Sequence, residues 1–173
     1  MYRFFVEKDQ IDTDARKVII TGSDVNHIRN VLRMEKGEEV SVIANGDDSE
    51  YRCAVGEFTD DTALLDLLFI KKSNVELPCE IVLYQALPKS DKMELIITKS
   101  VELGVFRIVP VATKRAVVKL DGVRSDKKRQ RWAAISEAAA KQSKRAVIPE
   151  VESVMTMAEA IEDCRDCDVK IIP

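Results

Sequence analysis

The lysines that follow an apolar segment are the first residues whose placement could serve chemistry. Lys89 and Lys92 come after EIVLYQAL at 80–87 and stand at the start of the next predicted helix. An α/β sheet presents its chemistry at the carboxyl ends of its strands, and a helix N-terminus favours anions. The junction therefore suits a phosphate or a developing negative charge. Two solvated lysines without such a role are the alternative interpretation.

A second basic group lies in residues 114–145, which hold 11 Lys/Arg against 3 Asp/Glu, although the whole chain has a net charge of −3. Arg115 follows an apolar segment at its carboxyl end, and Gln142 and Arg145 stand near the end of a predicted helix. Such clustering is typical of proteins that contact phosphates. A solvated basic helix face is the alternative.

Composition limits the class of protein. With 173 residues, 46% of them apolar, the chain can bury one core or two small ones. Its N-terminus lacks the apolar core of a secretory signal and its apolar stretches are too short to span a bilayer, so we expect a cytoplasmic protein. Cys53 and Cys79 are isolated, and the CRDC at 164–167 has no second Cys/His pair, so we expect reduced thiols and no metal site.

The N-terminal part alternates short apolar segments with turns. The pattern predicts strands at 18–21, 39–44, 51–58 and 62–70, which is typical of a small β-barrel, with a hairpin turn in NGDD at 45–48. One helix interrupts the strands, with Ser23 as its N-cap. Its predicted buried stripe consists of Val25, Ile28, Val31 and Leu32.

The hydrophobic pattern changes after KKSNVELP at 71–78, from short strand-like segments to apolar strands separated by helices. This segment is therefore the best candidate for a linker between domains. Strands at 80–87 and 105–112 enclose a helix at 91–104, capped by Asp91 and ended by Gly104, so a βαβ unit with a parallel sheet is predicted. A helix at about 125–143, capped by Ser125, follows, with Trp132, Ile135, Ala138 and Ala139 facing inward. The last segment predicts a helix and the opening of a strand at VKIIP, so we expect an incomplete α/β layer.

Three stretches together resemble the 16S rRNA uridine-N3 methyltransferase family of the knotted SPOUT superfamily. The stretches are HIRNVLRMEKGEEV at 27–40, QALPKSDKMELIITKSVELGVFRIVPVATKRAVVK at 85–119 and RWAAISEAAAKQSKRAVIPEV at 131–151. The resemblance implies an α+β protein of two domains. A PUA-like β-barrel at 1–72 would bind RNA, and a SPOUT methyltransferase domain at 73–173 would work as a homodimer.

The resemblance also implies the reaction, in which S-adenosylmethionine donates a methyl group to N3 of a uridine in 16S rRNA of the small ribosomal subunit. Two departures from the family pattern are visible. Ala116 and Lys114 replace a serine and an acidic residue, and the Gly-Pro-Glu-Gly-Gly loop and final Leu-Arg-Thr-Glu-Thr-Ala-like tract that hold the methyl donor are absent. The cofactor-binding residues are therefore unknown, and we expect this chain to bind the donor poorly.

The reaction needs the uridine N3 to lose its proton and its anion to be stabilised. We therefore expect Arg115, with help from Lys89 or Arg145, to support the uracil anion. The residues expected to contact RNA are Arg3, Arg29, Arg33, Lys92 and Gln142. Surface ion pairs of Arg29 and Arg33 with nearby acidic residues are the alternative for those two arginines, and His27 fits a packing role better.

Two other functions stay open from the sequence. A non-catalytic RNA-binding protein could use the same barrel and basic helix without a methyl donor. A purely structural assembly module would have no salt-dependent affinity for RNA.

Overall fold

The computed structural model describes residues 1–44, 47, 49–72, 75–89, 92–114 and 122–172, without the side chains of 122–124. The chain forms two compact units. The first contains Met1–Glu76 and Lys144–Ile148, and the second contains Leu77–Ser143 and Pro149–Pro173. The predicted domain limits of 1–72 and 73–173 stay a prediction.

The first unit contains a six-stranded sheet in the order β1-β4-β5-β6-β3-β2, in which β1 and β4 are parallel and the other pairs antiparallel. The strands are β1 (Arg3–Val6), β2 (Ile11–Asp12), β3 (Lys17–Thr21), β4 (Glu39–Ala44), β5 (Ser49–Phe58) and β6 (Thr62–Lys72), with a 3-10 turn at Lys8–Gln10. Alternate residues of these strands, such as Val18, Val40, Cys53 and Leu65, form the core. The four predicted strands are confirmed, whereas β1 and β2 were not predicted. Most of the predicted turn at 45–48 lies outside the described residues.

The helix of the first unit differs from its prediction. Helix α1 (Ser23–Asn26) is followed by a π-helical turn at His27–Val31, and the N-cap is Gly22, with φ 70°, rather than Ser23. Val25 and Ile28 are buried as predicted, but Val31 is 61% exposed. The wider π turn changes the angle between successive side chains, so the predicted helical spacing no longer holds at Val31.

The second unit confirms the predicted βαβ unit. Strands β7 (Val82–Ala86) and β8 (Arg107–Ala112) are parallel neighbours, with α2 (Lys92–Glu102) between them in the chain. Short strands β9 (Glu150–Val151) and β10 (Met155–Thr156) also pair with β8 in parallel. Gly104, with φ 97°, ends α2 as predicted, because the N–H of Val105 donates to the carbonyl of Ser100 at 3.0 Å. Asp91, the predicted cap of this helix, lies outside the described residues.

The long helix α3 (Gly122–Ser143) begins before Ser125, so Ser125 is not its N-cap. Trp132 and Ala139 are buried as predicted, and Ser136, whose hydroxyl donates to the carbonyl of Pro149 at 2.6 Å, lies on the same face. Ala138 is exposed, which corrects its predicted inward position.

The last segment forms α4 (Met157–Asp163), which begins with a capping box between Thr156 and Glu159. The strand predicted after it does not form within residues 169–172. There Val169, Ile171 and Ile172 are 75%, 83% and 96% exposed, so they lack the burial that favours a strand. Within the described ranges, no helix is both long and apolar enough to cross a membrane.

Candidate nucleic-acid interface

Arg29 connects the helix of the first unit to the β5–β6 turn. Its guanidinium lies 5.0 Å from the centre of the Phe58 ring and donates to the carbonyl of Thr59. Beside it is a cleft of about 320 Å³, whose amide and carboxylate groups could meet the edge of a base better than a phosphate. The cleft is lined by Gly22, Val25, Asn26, Arg29, Asn30, Asp60 and Asp61.

Arg33 and His27 occupy different environments near the same helix. Arg33 is exposed and has a left-handed backbone, with φ 52°. The His27 ring contacts Phe4 edge to face at 6.3 Å, which fits the packing role expected for it. Both residues are exposed, but the His27 ring is engaged with Phe4, so Arg33 is the better candidate for an RNA contact.

Arg3 does not line an exposed edge as expected. Its side chain is 7% exposed, and Nη2 lies 2.8 Å from a carboxylate oxygen of Glu50. Its other terminal nitrogen donates to the carbonyl of Lys144 and, at 3.0 Å, to that of Arg145. Burial, only partly offset by Glu50, lowers the pKa of Arg3. Because these partners use both ends of the guanidinium, its contacts support a structural role.

Glu50 is the centre of this charge cluster. Its side chain is 6% exposed and contacts Arg52 at 3.2 Å and Lys71 at 3.4 Å as well as Arg3. Burial opposes its ionisation, but the neighbouring Ser41 hydroxyl and the cations beside the carboxylate outweigh burial and hold the pKa of Glu50 below its ordinary value. The carboxylate is therefore ionised and fixed at neutral pH.

Arg145 is also buried, with a side chain only 7% exposed, and its Nε donates to Glu76 at 3.1 Å. The other carboxylate oxygen of Glu76 accepts the N–H groups of Ala146 at 2.7 Å and Val147 at 3.2 Å. Burial raises the pKa of Glu76, but the hydrogen bonds from Arg145 and these amides lower it further than burial raises it. The expected position of Arg145 at an open reaction site is therefore corrected, because the guanidinium is engaged by a carboxylate.

The second unit brings several lysines to one edge of its parallel sheet. Ala86 pairs with Val111 near the carboxyl ends of β7 and β8. Lys89 follows β7, Lys114 follows β8, and Lys92 is the first residue of α2; all three side chains are exposed. The expected gathering of positive charge beside a helix N-terminus therefore has support from the strand register.

Arg115, the residue expected to support the uracil anion, lies outside the described residues. Leu87 is buried, and its N–H donates to the carbonyl of Val111 at 3.0 Å. The described strand ends, 86–89 and 112–114, thus provide ammonium groups but no enclosed site for a nucleoside. They do not fit an adenosyl cofactor by themselves, and we assign no cofactor-binding residue to them.

Part of the positive charge on α3 is neutralised by neighbouring carboxylates. Arg131 lies 2.8 Å from Glu94, and Lys141 lies 2.9 Å from Glu137, as predicted for the second pair. Gln142 is exposed near the end of the helix. In the described part of residues 114–145, which leaves out 115–121 and the side chains of 122–124, the basic side chains therefore do not form a single free surface.

The partners of the two buried arginines were not identified from the sequence. Glu50 is 47 residues from Arg3, and Glu76 is 69 residues from Arg145. A carboxylate among many in an acidic region has no local pattern that marks it as the partner of a distant arginine. The tertiary structure alone distinguishes these two from the exposed acidic residues.

Two family profiles match the chain. The profile of an RNA methyltransferase PUA domain matches residues 20–68, and that of an RNA methyltransferase domain matches residues 75–173. One relative is the ribosomal RNA small subunit methyltransferase E of Bacillus subtilis (strain 168), which is 36% identical over 99% of this chain and 67% of its own length. The protein of the same name from Synechocystis sp. is 32% identical over 93% of this chain and 50% of its own length.

A solved structure is similar to both units. It is that of a ribosomal RNA small subunit methyltransferase E from Neisseria gonorrhoeae bound to S-adenosyl methionine. The TM-score is 0.81 at 30% identity, over 94% of this chain and 65% of that one. The chain thus spans half to about two thirds of the length of the relatives that it matches.

Proposed function

Because this chain belongs to the RNA methyltransferase family of the ribosomal RNA small subunit methyltransferases E, we propose that it takes part in S-adenosylmethionine-dependent methylation of 16S rRNA. The sequence resemblance leads to the finer proposal that the acceptor is N3 of a uridine. The N. gonorrhoeae relative, which was crystallised with S-adenosyl methionine, supports the choice of donor.

The observation that carries the proposal is the parallel register of β7 and β8. It brings Lys89 and Lys114 to the same edge of the sheet, next to the start of α2, where Lys92 is exposed. Cations and a helix N-terminus stabilise negative charge on a neighbouring group. This edge is therefore suited to a substrate that becomes an anion.

We propose that residues of this chain activate the uracil base for attack on the methyl donor. N3 is a poor nucleophile while it holds its proton, and a fixed cation beside the ring favours proton loss and stabilises the anion. We assign this role to Arg115, with Lys89 as the second cation. Bound S-adenosylmethionine would supply a methyl group already activated by its sulfonium charge. Arg145, held by Glu76, has the contacts of a positioning residue.

The proposed RNA contacts use the exposed polar groups of each unit. Arg29 and Arg33 would meet RNA from the first unit, and Lys92 and Gln142 from the second. Arg3 would act indirectly, since its contacts with Glu50 and two carbonyls stabilise the unit. Guanidinium groups suit phosphate oxygens because two parallel N–H groups match them.

The reaction can be tested with small ribosomal subunits that lack the modification. The protein is incubated with these subunits and S-adenosylmethionine, and the rRNA is digested and its nucleosides identified by mass. We expect 3-methyluridine with the wild type and at least about a hundredfold slower transfer with Arg115→Ala, the usual loss on removing an anion-stabilising group.

Lys99→Ala is the matched control for that experiment, since Lys99 is an exposed cation of the same unit, paired with Glu102 at 2.7 Å. It should leave transfer unchanged. Unchanged transfer by correctly folded Arg115→Ala would remove the proposed role of Arg115. RNA binding without any methyl transfer, in the presence of the donor, would favour the non-catalytic RNA-binding function.

A homodimer formed through the second unit is part of the proposal, as the sequence resemblance implies. The exposed Met157 and Ile161, one turn apart on α4, could contribute apolar area to such an interface. Sedimentation equilibrium measures the mass directly, and a monomer at the concentrations used for transfer would refute this part. The rRNA substrate would also place the protein in the cytoplasm.

A further inference from the structure

The β5–β6 hairpin carries a surface that the proposed function has not used. The last residue of β6 that pairs with β3 is Asp66, opposite Lys17, so the end of β6 pairs only with β5 among the described strands. In that end Phe69 is 51% exposed. An aromatic ring this open to water on a sheet is available for a base to stack on.

A cation is held against the same ring. Arg52 lies directly opposite Phe69 in the strand register, and its guanidinium carbon is 5.9 Å from the ring centre. An ion pair also restrains Arg52, because its Nη2 lies 3.2 Å from the buried carboxylate of Glu50. The guanidinium is therefore oriented before any ligand arrives, which reduces the entropy lost on binding.

A second cation lies on the same face of the sheet. Lys71 is two residues after Phe69 and pairs in register with Glu50. Its ammonium is 3.4 Å from Glu50, and its side chain remains 47% exposed. Arg3, Arg52 and Lys71 surround Glu50, and Glu39 lies 4.0 Å from Arg52. The two carboxylates balance two of these three cations, so the surface around the ring keeps one positive charge.

From this arrangement we infer that the exposed ring of Phe69 is a stacking platform for a base of single-stranded RNA, with Lys71 beside the phosphate of that nucleotide. Arg52, 17% exposed, holds the ring in place by its cation–π contact. Exposed aromatic rings and guanidinium planes stack on any base, and a nearby cation attracts the backbone. An apolar partner protein would match the ring but not the positive charge around it. The inference rests on the proposed function, since it describes how that function's RNA substrate is recognised.

Two variants of Phe69 test the platform in the full chain. Affinity for a fluorescein-labelled oligouridylate is measured by anisotropy, because uracils stack weakly on one another and remain available. Phe69→Ala should bind about tenfold more weakly or worse, whereas Phe69→Trp should keep or increase affinity. In Phe69→Trp the new indole should lose fluorescence on binding, whereas Trp132, 4% exposed, should respond little in the wild type.

Ile70→Ala is the matched control, because Ile70 is 48% exposed on the next residue and its side chain points to the other face. It should bind like the wild type. Equal affinity of Phe69→Ala and the wild type would overturn the inference while leaving the proposed function intact. An equal loss in Phe69→Ala and Ile70→Ala would also overturn it, since this would indicate a general apolar contact with a partner. If the wild type itself binds no RNA, in the oligonucleotide or in ribosomal subunits, the inference and the proposed function fail together.

Discussion

Replacing Glu50 by Gln should remove the charge on which the first unit depends. The side chains of Glu50 and Arg3 are 6% and 7% exposed, and their charged atoms are 2.8 Å apart. Removing one partner of a buried ion pair costs about 3–5 kcal/mol, because the other charge stays buried without compensation. Glutamine keeps an oxygen that can accept one N–H, so we expect the lower end, about 3 kcal/mol. For a chain of this size that corresponds to a decrease in melting temperature of about 6–12 °C.

Calorimetry at neutral pH measures this loss for Glu50→Gln, and Glu57→Gln is the matched control. Glu57 pairs with Lys36 at 3.8 Å, but both side chains are more than 70% exposed, so the control should have the wild-type melting temperature. Equal melting temperatures for the two variants would refute the reasoning, since they would show that the Glu50 charge has no stabilising role. A loss in Glu50→Gln that becomes smaller in an Arg3→Met background would support it, because the most buried cation that Glu50 compensates would then be absent.

Three further predictions concern other positions. The folded protein lowers the pKa of Glu76 below its ordinary value of 4.5, so its contribution is complete above that value and is lost as the pH falls through the folded pKa. Urea titrations from neutral pH to about 3 should therefore show a larger loss in the wild type than in Glu76→Gln, in which Glu50 still titrates. Gly56→Ala places a Cβ 2.6 Å from the carbonyl oxygen of Leu64 and should lower the free energy of unfolding by about 1–3 kcal/mol, measured in urea. Tyr84→Phe removes the hydrogen bond to Asp163 and should cost about 1–2 kcal/mol; no change in the urea midpoint would contradict this.

The sequence predicts the strands well because burial imposes a period of two on them. Val18 and Ile20 in β3 alternate with less buried residues. Val40 and Val42 in β4 lie in a short, mostly apolar segment that is buried from Val40 onward, so in both strands the pattern is local. The parallel pairing of β7 and β8 was likewise predictable from two apolar segments separated by an amphipathic helix. By contrast, β1 has no turn signal before it, and only its pairing with β4 reveals it as a strand.

Details of the helices depend on tertiary contacts that the sequence does not display. Ser23 is a good N-cap by residue type, but Gly22 can adopt the positive φ with which the chain enters α1. The π turn that exposes Val31 is likewise not indicated by hydrophobic spacing. Residue type therefore located the helix, and the backbone geometry around it decided its first residue and its buried face.

The candidate site was harder to predict than the fold because a positive residue can stabilise the protein or meet a polyanion. Arg3 and Arg145 were selected for their charge, yet each is buried against a carboxylate distant in sequence. Arg52 was not selected, although Glu50 orients its guanidinium beside an exposed ring. The same buried carboxylate that neutralises Arg3 thus positions Arg52 beside the Phe69 ring. The net charge of a unit does not show whether a given cation stabilises the fold or contacts a polyanion. An acidic unit can still have cations on its surface if some of its carboxylates are buried.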